Sequence, residues 1–367
     1  MNLFVVGDGV RADFGEFPFF PERPVRHWGD SAAWIAHDDS YEEVSEDRVV
    51  LWSGHQEGRF ARVSWDRRSG EWSVEADPMG SYPVYSNGRA VSNNPTLLRG
   101  AGSMRPEVVA SLVGGGWSLS GDPLWEGVSR IDGGLSAEEV VPLLGAGLDV
   151  DAAAAELVDV VGRLASWPGR PNVVPVTAGR DSRLVLAAAL RAGVDFSTNT
   201  GGADGDPDVE VGRALAARAG VPHSLIEDDR FGGLYSHWQR AAELLLLTTG
   251  GTASLADAVG FPFGPRPGPL PLWHSGQGGE IARGYYGGGD GSAEALYRAF
   301  VMRRPHRHEL LSAEGQEVVM SAISSFVREV SDAGASSEDI PDLFYLLQRM
   351  GRWAGPTHGA VEYVRDT

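Results

Sequence analysis

Between residues 172 and 226 apolar runs alternate with helix-patterned segments, and this alternation constrains the fold more than any other feature of the chain. In "NVVPVTAGRDSRLVLAAAL" (172–190), a β-branched run over Val173–Val176 breaks into a small polar loop and resumes as an Ala/Leu-rich helix. That helix ends at Gly193, and "VDFSTNT" follows as a second strand. "GDPDVEVGRALAARAG" carries its own helix signals: Asp206 to cap it, Pro207 at its first position and Gly220 at its end. "VPHSLIE" reads as a third strand. Strand and helix in alternation predict βαβ units and a parallel sheet.

The N-terminal part has a different period. In "RFARVSWDRRSGEWSVEADPMGSYPVYS", Ala61, Val63 and Trp65 alternate with polar neighbours, and so do Trp72, Val74 and Ala76. Period two predicts half-buried antiparallel strands, with "DRRSG" and "DPMGS" as turns. "VSRIDGGLSAEE" reads as a boundary region. The expected division is therefore 1–140 and 141–367, a β-rich domain followed by an α/β domain, within a length that supports two cores.

Composition excludes several function classes. A net charge of −19 argues against nucleic acid or an anionic membrane surface as the main partner. The chain has no cysteine, which removes disulfides, thiolate metal sites and a thiol nucleophile, and it has no lysine either. "MNLFVVGDGV" lacks the basic region and long apolar core of a signal peptide, and "AELLLLTT" is far too short to span a bilayer. The expectation is a soluble, cytoplasmic protein.

Ligands of open α/β sheets bind beyond the carboxyl ends of the strands, and the 177–182 loop stands at such an end. The following helix start offers unpaired N–H groups and the positive end of its dipole. Gly179 lets the main chain come close, and Thr177 and Ser182 add hydroxyls. These features suit a phosphate or pyrophosphate. Asp181 would repel such an anion unless a cation stood between them, which points to Mg²⁺. The alternative is an ordinary strand–helix turn capped by Asp or Ser. The lysine-bearing phosphate loop of the G-x-x-x-x-G-K-[ST] type is excluded by its spacing.

"TAGRDS" resembles the S-G-G-x-D-S pyrophosphate loop of the N-type ATP pyrophosphatases, as found in asparagine synthetases. "SGQGGEIARGYY" (275–286) is similar to that family's S-G-E-G-S-D-E-L-F-G-G-Y segment, and "RMGRWAGPTHGAVEYVRDT" to its helix carrying H-x-x-E-x-R. "EGRFARVSWD", "DPMGSYPVY" and "VSNNPTLL" resemble the class II glutamine amidotransferase domain that precedes the synthetase domain. The resemblance runs in the same order along nearly the whole chain. It implies an antiparallel glutaminase-like domain followed by a doubly wound ATP-pyrophosphatase domain that continues beyond Thr367.

The resemblance also implies an activity. A carboxylate attacks ATP to give an acyl-adenylate and pyrophosphate, and an amine then makes the amide and releases AMP. Asp181 and Glu280 would hold Mg²⁺. Val176, Thr177, Ala178, Gly179, Asp181 and Ser182 would cradle pyrophosphate, and Ser275, Gly276 and Gly278 would line the nucleotide's other side. Glu362 matches the family's second catalytic Glu. Three departures sharpen this picture. Asn2 stands where glutaminases carry the catalytic cysteine, so the first domain looks like a retired glutaminase, a state typical of β-lactam synthetases and of some lasso-peptide macrolactam synthetases. Gln277 replaces the Glu or Tyr that helps activate the amine, and an amide cannot act as a base. The family places a lysine beyond the Glu362 helix and this chain has none, so the expectation is a protein that continues past Thr367, with substitution by Arg183, Arg283 or Arg365, or an inactive protein, as the alternatives. The implied partners are a carboxylate substrate, such as a precursor peptide, and a leader-peptide-processing protein. Open alternatives are a non-catalytic nucleotide-binding module, a β-lactam or asparagine synthetase, and a pyrophosphatase-loop enzyme of the NAD or GMP synthetase type.

Overall fold

Alternation in the N-terminal part produces antiparallel strands, and the strand–helix alternation after residue 170 produces a parallel sheet. The computed structural model describes residues 3–7, 25–35, 41–54, 58–100, 102–144, 147, 149–166, 170–226, 238–253, 271–281, 285–286, 290–302 and 305–355. The strands are β1 (Leu3–Gly7), β2 (Val25–Trp28), β3 (Ala32–Ile35), β4 (Tyr41–Val44), β5 (Arg48–Gly54), β6 (Phe60–Asp66), β7 (Glu71–Ala76), β8 (Tyr85–Ser86), β9 (Ala90–Ser92), β10 (Ser129–Arg130), β11 (Asn172–Pro175), β12 (Phe196–Gly201), β13 (His223–Ile226) and β14 (Leu272–Trp273). The helices are α1 (Pro106–Gly114), α2 (Ala137–Val140), α3 (Val150–Ala165), α4 (Arg180–Ala192), α5 (Pro207–Ala219), α6 (Trp238–Thr249), α7 (Ala293–Tyr297), α8 (Pro305–Glu309), α9 (Ala313–Asp332) and α10 (Ile340–Leu343). The molecule is thus mixed α/β, with antiparallel sheets and one parallel sheet.

Internal contacts divide the chain into two units. One comprises residues 1–144, 238–265 and 284–367, the other 145–237 and 266–283. The division differs from a single cut at 140, because the helices after residue 284 group with the N-terminal sheets rather than with the parallel sheet. The chain first passes from one unit to the other after Leu144, and the segment 128–139 just before it holds β10 and the buried Asp132 carboxylate, which pairs with Arg130 at 2.6 Å.

The first unit is built on two antiparallel sheets, ordered β10-β8-β9-β1-β3-β2 and β4-β5-β6-β7. Their apolar faces share one core: Phe4, Val6, Trp28 and Trp34 pack with Val49, Leu51, Ala61, Val63 and Trp65. The predicted alternation is present in β7, while in β6 Ser64 is buried along with Ala61, Val63 and Trp65, and Trp65 pairs in register with Trp72. The turn between them forms because the Asp66 carboxylate accepts the Arg68 and Ser69 N–H groups, at 2.8 and 3.0 Å, and Gly70 takes a left-handed φ. These same bonds lower the Asp66 pKa.

In the second unit the sheet order is β13-β12-β11-β14, with every neighbouring pair parallel. Val174, Val176, Leu186, Ala189 and Phe196 form its core with Val161 of α3. Gly193 and Gly220 end α4 and α5 in the left-handed conformation, as the sequence predicts. Asp206 is the N-cap of α5, but its carboxylate accepts the Ala203 N–H at 2.8 Å rather than capping the helix. Among the described residues no helix is long and apolar enough to cross a membrane.

Candidate functional site

Strand order decides where the parallel sheet offers a crevice. The chain leaves β11 for β12 on one side, while β14 pairs on the other, so the order reverses beside β11. Crevices of open α/β sheets lie beyond the strand ends at such a reversal. Two loops flank it: 176–179 after β11 and 274–281 after β14.

The first loop is tightly self-bonded. Thr177 donates its N–H to Ser182 Oγ at 3.2 Å, the two hydroxyls lie 3.1 Å apart, and Gly179 donates its N–H to Thr177 Oγ1 at 3.0 Å. Thr177 and Ser182 therefore shape the loop through each other. Ala178 donates its N–H to the Asp208 carboxylate of α5 at 2.9 Å. Gly179 is the N-cap of α4 and supplies no capping side chain, so the helix's first N–H groups have no acceptor from it. Asp181 lies in that first turn. Val176 stands apart from the other loop residues. Its side chain is fully buried in the core and its N–H bonds Asn199 O at 2.8 Å, so it anchors the loop from inside the sheet.

The second loop is a run of turns. The His274 N–H bonds Val173 O and prolongs the β11–β14 pairing. Ser275 Oγ accepts the Gln277 N–H at 3.0 Å, Gly278 takes φ +98°, and its N–H reaches Glu280 Oε2 at 3.2 Å. Gln277 is half-buried within these turns. The His274 ring is buried against Asn172 Oδ1 at 3.0 Å, and burial lowers its pKa. His223 bonds Thr198 Oγ1 through Nδ1, and its pKa is lowered by burial and then by the Arg213 charge.

The two loops meet at Asp181. A Cβ on Gly276 would come within 2.7 Å of Asp181 C and Ser182 N, and one on Gly279 within 2.6 Å of Asp181 Cγ. The structure thus brings 177–182 and 275–280 together, and Glu280 is the next residue after this contact. Asp181 and Glu280 carry hard oxygens of the kind Mg²⁺ takes together with phosphate oxygens, and Glu280 Oε2 here accepts the Gly278 N–H. Among the described residues no group of three or more His, Asp or Glu side chains is arranged for a metal. Arg183 Nε donates to Gly179 O at 3.2 Å and stays beside the loop. Asn2, Arg283, Glu362 and Arg365 lie outside the described residues.

Sequence reasoning missed Asp208 and Gly279. Asp208 had a usable signal: in consecutive parallel βαβ units the start of one helix stands beside the start of the next, and α5 opens with Pro207-Asp208. Gly279 had none, because its constraint is contact with a residue almost a hundred positions away. No protein-family model matches the chain, and no curated protein matches it.

Proposed function

We propose that the chain is an ATP-dependent, AMP-forming amide ligase of asparagine synthetase-like design, with a glutaminase-like first domain that has lost its nucleophile and a doubly wound ATP-pyrophosphatase-like domain. The observation that carries this reading is the meeting of the 177–182 and 275–280 loops at Asp181, beyond the strand ends. The α4 N-terminus and the 177–182 loop would hold pyrophosphate, and Asp181 and Glu280 would hold Mg²⁺. When bound, the metal neutralises charge on the phosphates. The loops fix the α-phosphate for attack by a carboxylate, and Glu362 would take the proton from the incoming amine. With neither a cysteine nor a glutaminase nucleophile, the amine comes from something other than glutamine hydrolysis. The proposed acceptor is a carboxylate such as that of a precursor peptide, as in macrolactam formation.

The test is AMP and pyrophosphate release, or hydroxamate trapping, with a panel of carboxylates and peptides. We expect turnover that falls at least ~100-fold in Asp181→Asn, since the metal serves charge development at phosphate. Absence of AMP formation across the panel would overturn the ligase reading. A second reading, a nucleotide-binding module without turnover, is favoured by the Asp208 carboxylate on the Ala178 N–H, which occupies a loop amide that phosphate would use. Saturable Mg-ATP binding without AMP release would select it.

A further inference from the structure

The first unit contains a polar cavity of about 310 Å³, remote in sequence from the two loops above. Its walls come from the 120–122 turn, the segment around β10, α9, and the π-type helical stretch Phe344–Ala354 that continues α10. Such widened helical stretches are frequent at functional sites. Six polar groups face it: Ser120, Asp122, Arg130, Glu329, Gln348 and Arg352.

The two guanidiniums are in different states. Arg130 is fully engaged. It grips the buried Asp132 carboxylate through Nε at 2.8 Å and Nη2 at 2.6 Å, and it donates to the carbonyls of Gly351, at 3.1 Å, and Gly80. Among the described residues Arg352 has one polar contact, from Nη1 to the Gln348 side-chain oxygen at 3.2 Å, with the Gln348 amide nitrogen turned to donate to Leu119 O at 3.1 Å. No carboxylate among the described residues lies within ion-pair distance of Arg352. Burial first, and the Arg130 charge second, push its pKa down to about 10. The carboxylates of Glu329, Asp122 and Asp132 act on it in the opposite sense without touching it. A half-buried guanidinium held short of its countercharges is costly, and the cavity lies beside it.

We propose that this cavity binds a small zwitterion, with a carboxylate on Arg352 and an ammonium facing Asp122 and Glu329. With Arg130 neutralised by Asp132, the lining leaves one guanidinium against two carboxylates. A bare anion would pair with Arg352 but face both acids. A bare cation would leave Arg352 unpaired. A molecule carrying both charges satisfies both walls. The volume stands at the lower end of the range for ligand pockets, roughly 300 Å³ upward, and has room for a free amino acid. Glu329 and Ser120 are exposed, so the cavity opens to solvent on their side. The inference is independent of the ATP reading.

Calorimetric titration of the full chain with each common L-amino acid, and with acetate and methylammonium, tests it. We expect at least one amino acid to bind saturably and to bind ~10-fold or more tighter than either fragment. Arg352→Gln should weaken that binding at least ~30-fold, as loss of one partner of a buried charge pair does. Because that variant can also disturb folding, Glu329→Gln at an exposed position supplies a second reading, an expected loss of about threefold. Asp181→Asn should leave the binding unchanged. No saturable binding by any amino acid, acetate binding as tightly as the best amino acid, or full affinity in folded Arg352→Gln would each overturn the proposal.

Discussion

Gly276 shows how a single residue can carry the site. It has no conformational need to be glycine through positive φ; the need is space, since its Cβ would press on the backbone of Asp181 and Ser182. Backbone atoms at a helix start cannot yield as a side-chain tip can. Gly276→Ala should therefore cost about 1–3 kcal/mol of stability, the range for overpacking a close contact, and should push the 275–280 loop off the α4 N-terminus. Mg-ATP affinity should fall about tenfold or more. Gly147→Ala, which meets nothing within 4 Å, serves as a control with a change inside ~0.5 kcal/mol. Denaturant melts and ATP titration of the two variants check this. Unchanged ATP affinity in Gly276→Ala would separate the loop contact from nucleotide binding. In the sequence only motif likeness points to Gly276; its steric reason becomes visible when two distant loops are placed together.

At the scale of elements, α5 sits on the sheet so closely that Gly212 has no room for a methyl. A Cβ there would collide with Thr200 Oγ1 and come within 2.8 Å of Val176 O, two atoms that bond each other. Opposing effects decide the sign of Gly212→Ala. Helix propensity favours alanine by about 1 kcal/mol. Overpacking costs about 1–3 kcal/mol, and disturbing the buried Thr200–Val176 bond adds about 1 kcal/mol. The variant should be destabilised by roughly 1–3 kcal/mol despite the better helix former, and a chemical melt with a gain in stability would contradict the packing argument. The elements around this contact were legible because their signals are local: β-branched runs, Pro207 at a helix start, Gly193 and Gly220 at helix ends. Others were not. Nothing in the basic run "RRPHRH" signals burial, yet Arg307 is 7% exposed. Nothing local in "VSRIDGGLSAEE" signals that Arg130 and Asp132 form a charge pair there. The π-type stretches at Arg298–Met302 and Phe344–Ala354 share the apolar pattern of an α-helix, and nothing local widens them.

At the scale of the whole molecule, the grouping of residues after 284 with the N-terminal sheets had no local signal either, since periodicity reports an element's own face and not its neighbour. Charge, in contrast, is fully legible: −19 overall, and the acidic balance extends to the loops. Asp181, Asp208 and Glu280 stand at or beside them, against Arg180 and Arg183. An ATP polyanion approaching without a metal is therefore repelled by the molecule's net field and by the acids at the loops themselves. Binding then requires that a divalent cation reverse the local sign, which is the same role the two carboxylates have in the proposed site. The expected outcome is that ATP binding in excess EDTA is at least ~10-fold weaker than with Mg²⁺ at equal ionic strength, and that Asp181→Asn and Glu280→Gln each shrink this difference. Holding ionic strength fixed matters, because a Debye length near 10 Å at ~0.1 M screens the net field but not an ion held between two side chains. Equal ATP affinity with Mg²⁺ and with EDTA would remove the metal from these carboxylates and leave Asp181 as a helix-start acid alone.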